Sequence, residues 1–327
     1  MKVLADVDEE IIMQVIDIHP PLAADQVPSQ PIVLALGFFD GVHRGHQAVI
    51  VAARAEADKR GLPLAVMTFD VHPAIIYRGV PASSVKYLSP RPRKIELMAH
   101  FGVDLLYFIH FTPAFSKLPP QAFVDQYLVG MNAVVVVAGF DYTYGKRDVA
   151  NMVTLPEYAK GRFEMITVPK TVDAGQKVSS TRIRKALDEG DVDLANHLLG
   201  YPYQTSGTVV HGEARGRTIG YPTANVQAPA GERIPGIAVY TVRLKVDGQW
   251  YPGMASVGRN ITFGPGRPVT VEVNLFDFHQ DIYDAPVRVS WLHRLRGDMM
   301  FDSAAGLVAQ LAQDEKDSKV FLKGLTD

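Results

Sequence analysis

The chain has 327 residues, 47% of them hydrophobic, with 33 basic against 35 acidic side chains and no cysteine. A formal charge of −2 gives no general electrostatic reason to bind nucleic acid. The lack of cysteine excludes disulfides, thiolate zinc sites and iron–sulfur clusters, and suits a reducing cytoplasm.

The length is comfortable for two domains, each burying its own core. The first residues carry Asp6, Asp8, Glu9 and Glu10 and lack the basic-then-apolar pattern of a signal peptide. Residues 1–30, with Pro20, Pro21 and Pro28, read as a loosely packed lead-in. Strands are expected at 32–36, 64–69, 105–109, 134–138 and 165–168, and helices at 46–60, 92–101, 119–128 and 155–160. That alternation predicts a doubly wound, mostly parallel α/β sheet, whose ligands sit beyond the carboxyl ends of the strands. The most apolar run, residues 133–138, is strand-sized and too short to span a bilayer.

Helices at 180–189 and 192–199 close a first domain of residues 1–200, punctuated by Gly200-Tyr201-Pro202. The pattern then changes to period-two alternation at 204–211, 239–246, 269–276 and 287–292, with Asp247-Gly248 as a hairpin turn. A small antiparallel barrel is expected there, finished by an amphipathic helix around 302–323, in a second domain of residues 201–327.

Six stretches carry chemistry. Gly37-Phe38-Phe39-Asp40-Gly41-Val42-His43-Arg44-Gly45-His46 joins the first clear strand to a helix. Glycines at such a turn let backbone N–H groups approach an anion, the helix N-terminus adds a favourable field, and two histidines can meet charge developing on phosphate oxygens. His43 to His46 has the HxGH form of nucleotidyltransferases. Phe69-Asp70-Val71-His72-Pro73 ends the next strand, and Gly139-Phe140-Asp141-Tyr142-Thr143-Tyr144-Gly145 follows a third on the same edge. The latter suits either a packed loop or a clamp for a flat heteroaromatic ligand. Ser179-Ser180-Thr181-Arg182-Ile183-Arg184 opens a helix with hydroxyls, free N–H groups and arginines, the makings of a triphosphate cradle.

In the second half, Gly216-Arg217-Thr218-Ile219-Gly220-Tyr221-Pro222-Thr223-Ala224-Asn225 pairs close-approach glycines with Thr223 and Asn225, oxygen ligands suited to Mg²⁺ carrying phosphates. It is not a Walker A loop. Alternation across 269–276 puts Val271, Val273 and Leu275 on one face and Thr270, Glu272 and Asn274 on the other. Glu272 is either a solvated strand acid or a general base facing an ATP loop. His100, His110 and His197 show no partner pattern and read as structural.

Together these motifs, with His211-Gly212, Arg215 and Thr262-Phe263-Gly264, resemble the bacterial bifunctional riboflavin kinase/FAD synthetase family from about Ile32 to Asp314. The resemblance implies an N-terminal Rossmann-like FMN adenylyltransferase domain and a C-terminal β-barrel riboflavin kinase domain. It implies that His43 and His46 stabilise the transferring α-phosphate. Gly37, Phe39, Asp40, Gly41, Ser179, Ser180, Thr181 and Arg184 would contact that ATP, and Asp70, His72, Asp141, Tyr142 and Tyr144 the flavin. In the kinase half, Gly216, Arg217, Thr218, Gly220, Pro222, Thr223 and Asn225 would hold ATP, Thr223 and Asn225 the Mg²⁺, and Glu272 would be the base. The expected substrates are riboflavin, FMN and ATP, with no nucleic-acid or membrane partner; a weak homo-oligomer is allowed. Departures from the family pattern are Val71, Ala150, Ala238, Ile261 and Asp284. The alternatives are a riboflavin kinase whose adenylyltransferase is weak, and a flavin-binding regulator. Retention of His43, His46, Arg184, Thr223, Asn225 and Glu272 argues against the regulator.

Overall fold

The computed structural model describes residues 13–212, 215–259 and 269–325. Ile261 and Thr262-Phe263-Gly264 lie outside them, as does the side chain of Arg215. By packing, the chain divides into two compact units, one ending at Ser180 and the other beginning at Thr181.

The first unit is built on β1 (Gln14–Ile18), β2 (Ile32–Leu36), α1 (Arg44–Arg60), β3 (Leu64–Phe69), α2 (Pro73–Arg78), α3 (Arg91–His100) and β4 (Leu105–Ile109). It continues through α4 (Pro120–Phe123), which runs on as a π-helical turn over Val124–Val129, then β5 (Ala133–Gly139), α5 (Leu155–Ala159) and β6 (Glu164–Val168). A small hairpin, β7 (Val172–Asp173) and β8 (Gln176–Lys177), precedes Ser180. The six strands β1 to β6 form one parallel sheet in the order β1-β4-β3-β2-β5-β6. All five residues of β2 are buried, as a parallel strand covered on both faces must be.

That order reverses between β2 and β5, which pair from Val33↔Val135 to Leu36↔Ala138. The crevice at such a switch point is where open α/β sheets bind ligands. The loops leaving these two strands are the ones beginning at Gly37 and Phe140. One expectation needs correction. The lead-in is not uniformly loose: β1 pairs with β4 from Gln14↔Leu105 to Ile18↔Ile109, and Ile18 is fully buried.

The second unit begins with α6 (Ser180–Asp188, from Thr181 on) and α7 (Val192–Leu199). Both pack with the barrel: Gly236 N–H donates to Leu187 O (2.7 Å), Asn196 Nδ2 to Trp291 O (2.8 Å), and Tyr203 N–H to Asn196 Oδ1 (2.7 Å). There follow β9 (Tyr203–Val210), the single turn α8 (Arg215–Thr218), β10 (Ala224–Gln227), β11 (Ala238–Val246), β12 (Gln249–Arg259), β13 (Val269–Leu275), β14 (Pro286–Arg296) and α9 (Ala304–Lys323). The six strands β9 to β14 close into an antiparallel barrel ordered β10-β13-β12-β11-β14-β9, which leaves no sheet edge open. Helix α9 packs through Leu322 on Met254, Phe276 and Leu292. Among the described residues, no helix is long and apolar enough to cross a membrane.

Candidate active sites

In the first unit the two HxGH histidines meet at one helix start. His43 is the N-cap of the 17-residue α1, where its Nδ1 accepts from His46 N–H (3.3 Å). The two imidazoles stack with centroids 3.6 Å apart and planes 15° apart, and Phe39 packs edge-on against His46 at 5.2 Å. Accepting at Nδ1 leaves Nε2 as the donor of neutral His43. The motif caps the helix it opens. A Cβ at Gly45 would lie 3.2 Å from the His43 ring, tighter than ordinary contact, so a larger residue there would press on that imidazole.

The turn before these histidines is held from several sides. Asp40 Oδ1 accepts from Leu88 N–H (3.0 Å) and Ser89 N–H (3.1 Å), Gly41 N–H donates to Ser89 Oγ (2.7 Å), and Ser180 Oγ donates to Asp40 O (2.9 Å). Asp40 is 1% exposed, so this carboxylate acts as a brace and does not point a charge at solvent. Ser180 joins the start of the 179–184 motif to the HxGH turn. Thr181 and Arg184 lie further along α6, in the other compact unit.

His72 repeats the pattern one strand over. It caps α2, accepting at Nδ1 from Ala74 N–H (3.1 Å), and meets Phe38 edge-on at 4.9 Å. Asp70 fixes the turn before it, accepting from Val71 N–H (2.8 Å) and Phe111 N–H (2.9 Å) through Oδ1 and pairing with His110 Nδ1 through Oδ2. His110, read as structural from the sequence, is therefore the partner of a motif residue.

The aromatic loop after β5 is closed by Tyr144 N–H donating to Ala150 O (3.1 Å). Tyr144 stacks on Phe123 at 5.3 Å, and burial pushes its phenol up to about 12 and that of Tyr142 higher still. Asp141 forms an ion pair with Lys177 of β8, a partner no motif announced. Ala150 is fully buried, and a Cβ on Gly145 would come within 3.0 Å of its methyl, so the two positions share one small space.

In the barrel unit, the kinase candidates converge through strand register. Asn225 on β10 lies directly opposite Glu272 on β13, and Ala224 opposite Val273. Cross-strand partners share a face, so Glu272 and Asn225 share the face opposite Val271 and Val273. Asn274 departs from the expected alternation: it is 8% exposed, and its Nδ2 donates to Pro222 O (2.7 Å), tying β13 to the 216–225 loop.

The glycines of that loop differ in role. A Cβ at Gly216 would lie 2.1 Å from Tyr221 O, so this position needs space; Gly220, at φ +83°, needs the left-handed conformation. Gly212 packs so closely on Asn225 that a Cβ would fall 2.1 Å from Nδ2. Arg217 reaches Tyr283 Oη (3.3 Å), and Tyr283 stacks on His211 at 3.9 Å. Asp284 holds φ +61°, the left-handed geometry that favours glycine. Ala238 is buried at the start of β11.

Similarity to known proteins covers both parts of the chain. The FAD synthetase family model matches residues 25–182 and the riboflavin kinase model residues 199–322. A bifunctional riboflavin kinase/FMN adenylyltransferase of Listeria monocytogenes is 48% identical over 96% of this chain and 100% of its own length. The Bacillus subtilis protein of the same description is 41% identical over 90% and 93%. A crystal structure from Streptococcus pneumoniae, described as a macrolide-efflux protein, superposes with a TM-score of 0.86 at 40% identity, covering 94% of this chain and 99% of that one. The chain belongs to the bifunctional riboflavin kinase/FMN adenylyltransferase family.

Proposed function

We propose that the residues gathered at these two sites carry the two ATP-dependent steps from riboflavin to FAD. The chain is a riboflavin kinase and an FMN adenylyltransferase. Adenylyl transfer is assigned to residues 1–200 and phosphorylation to residues 201–327, a division supported by the spans of the two family models. The observation that carries the kinase assignment is the pairing of Glu272 with Asn225.

In the kinase half, Glu272 accepts the proton of the ribityl 5′-hydroxyl as its oxygen attacks the γ-phosphorus of ATP, and the bond to the ADP oxygen breaks. Thr223 and Asn225 offer only oxygen donors, which fits a hard cation carrying phosphates, so these two would hold Mg²⁺. When bound, Mg²⁺ supplies neutralisation of phosphate charge. Gly216 and Gly220 let the loop backbone close on the nucleotide.

In the adenylyltransferase half, a phosphate oxygen of FMN attacks the α-phosphorus of a second ATP and pyrophosphate leaves. His43, His46 and the N–H groups opening α1 meet the charge that develops on the α-phosphate oxygens. Ser179, Ser180, Thr181 and Arg184 hold the departing phosphates, and Asp141, Tyr142 and Tyr144, with His72, line the flavin. Asp40 and Asp70 serve this site as braces of its two turns. Neither step needs a covalent enzyme intermediate, because positioning and charge neutralisation suffice. A cytoplasmic location accords with the lack of cysteine, and the expectation of no nucleic-acid partner with the near-neutral charge; a weak homo-oligomer is compatible with both.

The test supplies riboflavin, ATP and Mg²⁺ and follows FMN, FAD and pyrophosphate by chromatography, for the wild type and for His46→Ala. The wild type is expected to form all three. His46→Ala is expected to stop at FMN. Loss of FMN formation in folded His46→Ala protein would overturn the assignment of that residue.

A further inference from the structure

Among the described residues of the first unit, Lys94 is a buried charge that neither step uses. It lies on α3, 3% exposed, in line with the buried Leu97 and Met98. An apolar residue would avoid the cost of burying an ammonium there. Its Nζ instead donates to Phe38 O (2.8 Å) and lies 3.3 Å from Thr68 Oγ1, which donates to the same carbonyl at 2.9 Å. The Nζ also sits 4.3 Å from the Phe38 ring centroid and 5.9 Å from that of Phe108.

Phe38 opens the turn that ends at His43 and His46. Within that turn Phe39 and Val42 hold φ of +53° and +33°, a region that side-chain-bearing residues keep only where the surroundings over-determine it. Gln47 Nε2 donates to Val42 O (2.8 Å), and Ser89 and Ser180 hold the middle of the turn. The strand side is held by Gly37 N–H donating to Met67 O (3.3 Å) and by the Phe38 carbonyl that Thr68 and Lys94 share.

We infer that Lys94 is a positioning residue for adenylyl transfer: its ammonium clamps the Phe38 carbonyl, sets the strained turn that carries both histidines, and places a positive charge beneath it. The inference rests on the reading of that turn as the adenylyl-transfer site.

The charged and titratable groups around Lys94 are Asp40 on the same turn, His72 and Tyr87 across the Phe38 ring, and Arg91 across the Phe108 ring. Asp40 favours the ammonium, yet burial outweighs it and pulls the group down to about 8. Losing the proton leaves an amine that still donates but removes the charge. Adenylyl transfer therefore declines above about pH 8, while the same depression makes the folded unit more stable as pH rises from there. Linkage at this residue therefore opposes alkaline unfolding, and a melting curve at each pH separates a loss of activity from a loss of fold.

The experiment compares Lys94→Met with the wild type, measuring kcat and KM for FMN adenylylation across pH, and riboflavin phosphorylation in the same protein. A displaced turn costs about tenfold or more, expected in kcat with little change in the KM for FMN, no alkaline decline, and unaltered phosphorylation. Unchanged kcat and a retained alkaline decline would overturn the inference. If Lys94→Met loses its melting transition, Lys94→Gln, which keeps a donor but carries no charge, decides together with the wild-type profile. A wild type without the decline, or a Lys94→Gln enzyme of full kcat, then overturns it. His46→Ala separates the layers: if that variant adenylylates FMN normally, the reading of the turn has failed; if only Lys94→Met is normal, the positioning role alone has failed.

Discussion

Glu272 and Asn225 face each other across the β10–β13 pair, so the candidate base and a candidate phosphate-binding amide are set by one register. Glu272→Gln keeps the shape and removes the base, and is expected to lower riboflavin phosphorylation by about 10²–10⁴. Adenylylation of supplied FMN is expected to continue at the wild-type rate. Equal loss of both activities in chromatographic assays would refute the two-site division.

The close approach of Gly212 to Asn225 gives a second prediction. A Cβ 2.1 Å from Asn225 Nδ2 forces that side chain aside, which displaces a site residue at little cost to the fold because Gly212 is exposed. Gly212→Ala is expected to raise the KM for ATP and lower kcat in the kinase assay alone. A variant with normal kinase kinetics would show that Asn225 does not depend on this contact.

Helix α9 is anchored by a buried ion pair. Asp314 is 2% exposed; it takes Arg296 Nη2 at 2.8 Å and Nε at 3.0 Å, and Gln310 Nε2 at 2.9 Å. Asp314→Ala leaves the guanidinium without its charge partner and is expected to destabilise the barrel unit by about 3–5 kcal/mol. Calorimetry of Asp314→Ala beside Arg296→Met/Asp314→Leu checks this. The double variant should recover most of the loss, and equal instability of both would count against the charge argument.

Glu232 supplies a pH-dependent term. It is 6% exposed, its Oε2 accepts from Ser206 N–H (2.6 Å), and burial raises its carboxyl despite nearby Arg288. A raised acid holds its proton more tightly when folded. Its stabilisation is thus complete below the ordinary value of 4.5 and is lost as pH rises through the folded value. Glu232→Gln is expected to melt higher than the wild type at pH 7, with the gain shrinking toward pH 4. A lower melting temperature at pH 7 would show that the ionised form is the favoured one.

Much of this was legible from local pattern. The strands at 32–36, 64–69 and 105–109 run as expected because a parallel strand buried on both faces leaves a continuous apolar signature. The HxGH turn could be placed because its glycines and histidines are consecutive in the chain. β1 was missed in a proline-marked stretch, since its strand character comes from pairing with β4, some 90 residues on. β10, four residues long, and β12, interrupted by Pro252 and Gly253, were missed for the same reason: barrel closure pairs them.

The sequence by itself determined the two-part organisation, the family and the residue types at each site, because helix period, strand alternation and motif spacing are local properties. Tertiary structure alone decided which groups meet. It set Glu272 opposite Asn225, turned Asp40 and Asp70 into braces, joined His110 to Asp70, and drew Lys94 from a helix beneath the Phe38 carbonyl. Those relations depend on register and burial between segments far apart in the chain, where neighbouring residues carry no record of the partner.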